Sequence, residues 1–494
     1  MISLLRIGLM ALIATVTLCI HPQPAHAFCG FYVAKADTEL YNQASQVAIA
    51  RDGNHTVLTM GNDYQGEVSD FAMVVPVPTV ITEDQVDVAE SIVLDRLDAF
   101  SAPRLVEYFD SDPCQIMRPL ANRRLSLSVA DGVAEATAAP APPSSLGVTI
   151  EEQFSVGEYD ILILSAKESD GLETWLRQNQ YQLPEGASEV LAPYIRQKMK
   201  FFVAKVNLDE FDSTGYQSLR PLQISYDSPK FMLPIRLGML NADGDQDLIV
   251  YLLSPEGRIE LTNYRTVNVP TDIDLPLFVQ DDFGQVYPEM FQRRYEQENK
   301  NVAFLEYAWD MRSCDPCSAP VLTPEELEAA GVGWLDQPTP QPRRSGSVIA
   351  PPRRPRPSSI FISRLHVRYS RDKFPEDLMF QTTSNRQFFQ GRYVTRHAFT
   401  GSLDCPARLR EEYPDAAARQ RLENQTGQNY RVIIDEAEDR GQRYLRSLMT
   451  RFEQESQNLA RLTGRDIQEI RQRISDEVPQ PTPSPWLIRY PKSS

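Results

Sequence analysis

The sequence predicts an α+β fold, a β-rich mixed body with peripheral helices and a long C-terminal helical segment. Three observations predict it. Apolar residues alternate on both sides of Asp52-Gly53-Asn54. Further strand-type runs follow one another from Leu222 to Val279. From Asp415 to Glu477, Val432, Ile433, Ala437, Tyr444, Leu445, Leu448, Phe452, Leu459 and Leu462 recur at three- and four-residue intervals. Alternation marks a half-buried strand, and the longer interval marks one face of a helix.

Taken in chain order, Met1 to Ala27 reads as a secretory signal. Arg6 supplies the positive start, Ile7 to Ile20 the apolar stretch, and Ala25-His26-Ala27 a small-x-small cleavage site. That stretch is shorter than the roughly twenty apolar residues that span a bilayer. The chain is therefore expected to be periplasmic or secreted after cleavage near Ala27, with no integral membrane segment.

In the block 28–126, Gln46 to Ala50 and Thr56 to Met60 flank an Asp-Gly turn, a hairpin signal. Phe71 to Val77 is a third strand. Thr82-Glu83-Asp84-Gln85 has the form of a capping box, with Val88, Ile92 and Leu97 at helical spacing behind it. Residues 127–147, rich in Ala, Pro and Ser, are a flexible linker by composition.

A central α+β block, 148–335, comes next. It holds strands at Tyr159 to Leu164 and Phe201 to Val206, with helices near Asp170 to Trp175 and Ser188 to Gln197. Turns are expected at Asn241 to Gln246, Pro255 to Gly257 and Asp281 to Gly284. Asn301 to Trp309 is a strand, and Thr323-Pro324 starts a helix with its cap and first-turn proline. Residues 336–359 form a Pro/Arg-rich disordered insert, 360–405 hold returning strands, 406–478 the C-terminal helices and 479–494 a disordered tail.

The formal charge is −17, and the leader holds one arginine and no acid, so cleavage makes the chain more acidic still. Such a surface disfavours nucleic acid and anionic lipid as general partners. Arg343 to Arg371 is the exception, with eight arginines and no acidic residue. It reads as a solvated linker, the alternative being a grip on an acidic partner.

Five cysteines remain after residue 27: Cys29, Cys114, Cys314, Cys317 and Cys405. In an exported chain they are expected to end as disulfides. Cys314-Asp315-Pro316-Cys317 is the sharpest motif, open to a structural disulfide, a redox-active pair or a metal site. A lowered thiol pKa needs a helix N-terminus close by, and the next helix cap is only at Thr323. The expected bridges are Cys29–Cys114, and a bond within the Cys314/Cys317 pair or from it to Cys405. Zinc would draw on His397 and Cys405, at no standard spacing.

Histidines outside the leader are His55, His366 and His397, and neither His-Glu-x-x-His nor Gly-x-Ser-x-Gly occurs. His366, between Leu365 and Val367, reads as a satisfied histidine on a strand face. The run Asn241-Ala242-Asp243-Gly244-Asp245-Gln246-Asp247 resembles a calcium loop, making Asn241, Asp243 and Asp247 weak ligand candidates beside the simpler reading of a polar turn. No cofactor is expected.

Several segments together resemble one family. Phe28-Cys29-Gly30-Phe31-Tyr32, Phe71 to Pro78, Ser228 to Ile235, Cys314 to Cys317 and Phe374 to Leu378 are similar to the bacterial family called domain of unknown function 2330. The resemblance spans most of the chain after residue 27, apart from 336–359 and the tail. It implies an exported bacterial protein and supplies no activity. The leading functional reading is a non-enzymatic, disulfide-stabilised envelope protein that binds or scaffolds an envelope protein or surface ligand. The alternative is a thiol–disulfide oxidoreductase using Cys314 and Cys317. A third class, a glycan hydrolase, needs two carboxyls about 5 to 9.5 Å apart, which sequence does not locate.

Overall fold

Gly53 and Asn54 close the first hairpin: strands Ser45–Asp52 and His55–Met60 pair antiparallel, with Asp52 opposite His55. Gly53 takes φ +53°, the left-handed conformation that a two-residue turn demands and that costs glycine least. A computed structural model describes residues 31–34, 41–42, 45–61, 64–65, 71–116, 148–178, 186–214, 219–241, 244–313, 319–334 and 359–477. The linker 127–147, the insert 336–359 (but for its last residue) and the tail 479–494 fall outside the described residues. So do Cys29, Cys314 and Cys317.

The fold is α+β, and the chain divides into two compact units. The first takes residues up to 101, then 140–267 and 300–388. Its main sheet runs Val302–Asp310, Phe361–Tyr369, Gln246–Ser254, Ser45–Asp52, His55–Met60, Leu222–Asp227 and Val86–Val88, each strand beside the next. Gln246–Ser254 and Ser45–Asp52 are parallel, and the other pairings along this path are antiparallel. Alternation carries Ala48, Ala50, Ile249, Tyr251, Leu253 and Ile362 into one apolar cluster, joined by Val93, Leu94, Leu97 and Phe100 of helix Ile92–Ser101. Helix Pro324–Ala329 starts as expected, with Thr323 Oγ1 accepting from the Glu326 N–H and Pro324 in the first turn.

A second sheet in this unit is antiparallel throughout, in the order Phe31–Ala34, Phe71–Val77, Lys200–Val206, Tyr159–Ala166, Val148–Val156. Helices Ser169–Gln178 and Ala187–Arg196 bury Leu172, Leu176, Leu191 and Tyr194 against Leu164, Phe201 and Val203. Two segments that carry the family resemblance are thus neighbours here, with Phe31 opposite Val74 and Tyr32 opposite Met73.

The second unit takes 102–139, 268–299 and residues from 389 onward. Strands Ile273–Asp274, Arg392–His397 and Arg104–Phe109 form a parallel sheet. Helices Val279–Gln297, Cys405–Glu412, Ala416–Thr426, Tyr430–Thr463 and Ile467–Glu477 complete it, with Asp404, Asp415 and Asn429 accepting backbone N–H groups at three of the starts.

Two local expectations are corrected. Thr82 to Gln85 does form a capped turn, but it is a 3-10 turn that leads into strand Val86–Val88. Val88 pairs with Leu222, so the sheet takes this backbone and the helix begins only at Ile92. Asp281 to Gly284, expected as a turn, lies in helix Val279–Gln297. Asp281 and Asp282 suit its positive N-terminus, and Val286 and Met290 are buried with Leu448 and Phe452. Burying that face outweighs the cost of a helical glycine.

Candidate functional site

The first unit holds a line of charged side chains on a mostly apolar sheet face. Tyr251, Ile249 and Asp247 lie opposite Arg364, His366 and Arg368 across strands Gln246–Ser254 and Phe361–Tyr369. On the other side of Phe361–Tyr369, the register slips between Leu305 and Tyr307. Glu306 is the extra residue of that bulge, and bulges commonly re-aim a side chain. Its carboxylate, 1% exposed, accepts from Arg364 Nε at 2.6 Å and lies 2.9 Å from His366 Nδ1. Arg364 Nη1 donates to Asp98 at 2.6 Å, and Tyr251 OH donates to the same Asp98 oxygen at 2.9 Å. His366 Nε2 lies 2.9 Å from Asp247 Oδ1, and Arg368 holds both Asp247 oxygens at 2.8 and 2.5 Å.

Burial alone would pull the His366 pKa down. The charge of Glu306 and the hydrogen bonds to Asp247 and Glu306 outweigh it and hold the imidazole above its ordinary value. Burial likewise pushes Asp247 up, but His366 and then Arg368 win and hold it well below the usual carboxylate range. Charge balance agrees. Asp98, Glu306 and Asp247 are matched by Arg364, Arg368 and a protonated His366. As imidazolium, His366 donates from both nitrogens and faces a carboxylate with each. A general base would need one nitrogen turned toward a substrate. The arrangement instead crosslinks three strands and one helix electrostatically.

A second cluster joins two of the segments that carry the family resemblance. Met232 and Leu233 pair with Met379 and Leu378. Asp377, 4% exposed, accepts from Tyr194 OH at 2.6 Å and from the Ile235 and Arg236 N–H groups at 3.0 and 3.3 Å, all on Oδ1. The Arg236 guanidinium lies over the Tyr194 ring, 4.8 Å from its centre. Ser228 accepts on its carbonyl from Arg51 at 2.9 Å, and Phe231 carries Arg51 over its ring. The two segments, with Tyr194 of helix Ala187–Arg196, therefore build a polar joint around the buried Asp377.

A family profile matches residues 23–381, and its description is uncharacterized protein conserved in bacteria, domain of unknown function 2330. The chain belongs to this family. The match takes in the 336–359 insert and stops before the helices from Cys405 onward, so its extent differs from the one expected. No curated protein matches the chain, and no solved structure does.

Of the cysteines, Cys114 and Cys405 form a disulfide in the second unit, 291 residues apart in sequence. This corrects the expected Cys29–Cys114 bridge and the expected bond from the 314/317 pair to Cys405; the other expected form, a bond within that pair, falls outside the described residues. The physical reason is loop placement: Arg408 holds Asp112 by two hydrogen bonds, and Asp112 accepts from the Cys114 N–H at 2.8 Å, seating Cys114 against helix Cys405–Glu412. Cys29, Cys314 and Cys317 lie outside the described residues. Asn241 ends the 3-10 turn Gly238–Asn241, Asp243 lies outside the described residues, and Asp247 is the carboxylate held by His366 and Arg368. Among the described residues no helix is long and apolar enough to cross a membrane, and no group of three or more His, Cys, Asp or Glu side chains is arranged to hold a metal ion. Sequence reasoning missed Glu306 and Arg364 because their partners sit 58 or more residues away.

Proposed function

We propose that this chain is an exported envelope protein that binds or scaffolds an envelope component and performs no chemistry of its own. One observation carries the reading: the Cys114–Cys405 disulfide, with both residues at 4% exposure or less. Persistent structural disulfides belong to oxidising compartments, and the leader-like Met1 to Ala27 would take the chain to one. The commitment of His366, Asp247 and Asp377 to internal partners supports a structural rather than a catalytic use of these groups.

Fractionation of the native bacterium tests it. The protein is expected in the periplasm or medium, beginning near Phe28, with the 114–405 bridge intact in a peptide map made without reductant. Crosslinking in intact cells should give discrete adducts with envelope material. A reduced, uncleaved cytoplasmic protein, or turnover of any substrate abolished by a single side-chain change, would overturn the proposal.

A further inference from the structure

The second unit sets three carboxyls beside two guanidiniums. Asp110 follows strand Arg104–Phe109 and accepts from Arg451 Nη1 at 3.0 and 2.9 Å and from Tyr444 OH at 2.6 Å. Asp274 ends the neighbouring strand Ile273–Asp274 and accepts from Arg396 Nε at 2.8 Å. Asn458 Nδ2 holds the Asp274 carbonyl at 2.9 Å. Each guanidinium thus has one carboxylate partner, although Arg451 Nε and Nη2 are buried without a hydrogen-bond partner and the Arg396–Asp274 pair is more than a third exposed. Glu455, on helix Tyr430–Thr463 with Tyr444 and Arg451, is a third carboxyl for two cations and is 2% exposed. Its Oε1 lies 3.4 Å from Arg451 Nε without hydrogen-bond alignment, and neither atom has another hydrogen-bond partner.

Other charged residues packed around this helix are engaged elsewhere. From helix Val279–Gln297, Arg293 donates to the Arg461 carbonyl and Glu289 holds Arg465. From helix Ile467–Glu477, Arg471 holds Glu453. Ionised, Asp110 and Glu455 would share the one Arg451 guanidinium and leave a net negative charge where Glu455 is almost fully buried, which is costly.

We propose that Glu455 is buried as the neutral acid and acts as a proton-controlled latch, holding helix Tyr430–Thr463 on the parallel sheet and loosening as pH rises. Burial is the largest influence on this carboxyl. Arg451 and Arg396 oppose it, Asp274 and Asp110 reinforce it, and the pKa is pushed up to about 8. A raised pKa gives stability that is complete below the unfolded value near 4.5 and is lost as pH rises through the folded value.

Hydrogen exchange of the full chain, resolved to the peptide spanning 451–459 and corrected for intrinsic rates, tests the latch. Protection is expected to fall by about ten-fold per pH unit between roughly pH 5 and 8. Glu455→Gln, a neutral mimic of the acid, should remove that dependence, while Glu438→Gln on the exposed face of the same helix should keep it. Difference infrared spectra from pH 6 to 9.5 should show a protonated carboxyl band lost in wild type and missing from the Glu455→Gln protein. Equal pH dependence in wild type and Glu455→Gln would overturn the proposal. So would a Glu455→Gln protein that fails to fold, because a latch that is neutral when closed must tolerate the amide.

Discussion

Asp377 and Arg236 form a buried pair in which one carboxylate oxygen, Oδ2, takes two guanidinium donors, Nη2 at 2.6 Å and Nε at 3.2 Å. The other oxygen serves Tyr194 and two backbone N–H groups. Removing the carboxylate would leave a buried cation, a phenol and two amides unanswered. Asp377→Ala is expected to lower stability by about 3 to 5 kcal/mol. Urea unfolding followed by circular dichroism measures it, and a loss under 1 kcal/mol would contradict the joint described above.

Glu306 should matter as much, by a different route. Glu306→Gln keeps the shape but removes the charge facing Arg364 and His366, again at about 3 to 5 kcal/mol. Its more specific signature is on His366, whose imidazole pKa should fall in the variant. Histidine proton or nitrogen resonances followed through pH report that directly.

The raised pKa of His366 fixes a pH window. The folded form binds the proton more tightly than the unfolded chain, whose histidine titrates at about 6.5. This contribution is complete below that value and is lost as pH rises through the higher folded one. Unfolding free energies measured above pH 6.5 should fall more steeply for wild type than for His366→Gln. Parallel curves would show that His366 is not held as the cation.

The Cys114–Cys405 bridge closes a long loop, so its loss releases much unfolded-chain entropy. The Cys114→Ser, Cys405→Ser double variant is expected to lose about 2 to 5 kcal/mol, chiefly from the second unit. Proteolysis sites mapped in wild type and variant would show whether the loss falls there, on the helices from Cys405 to Thr463.

Gly441 lies inside the long helix, where alanine would ordinarily stabilise by about 1 kcal/mol. Here an added Cβ would meet the Leu403 carbonyl oxygen at 2.6 Å and Cys405 Sγ at 3.3 Å. Backbone tied to a disulfide yields little. Gly441→Ala is therefore expected to destabilise by about 1 to 3 kcal/mol, read from the thermal midpoint.

Most individual strands and helices were legible beforehand, because each rests on signals a few residues long. The hairpin around Gly53, the capped start at Thr323 and the apolar stripe from Val432 to Leu462 are of this kind. His366 was legible as a satisfied strand histidine, though not the two carboxylates that satisfy it. Gly284 misled because a local turn preference is smaller than the gain from burying Val286 and Met290.

By itself the sequence determined the α+β class, the family and such local features as the turn at Gly53 and the cap at Thr323, since propensity and alternation act between near neighbours. Tertiary structure alone decided that Cys114 meets Cys405, that a bulge turns Glu306 toward Arg364 and His366, and that Glu455 is buried beside an arginine already paired with Asp110. Those outcomes depend on which distant strands pair and in what register. On the strands, a shift of one residue would turn Arg364 and His366 to the opposite face.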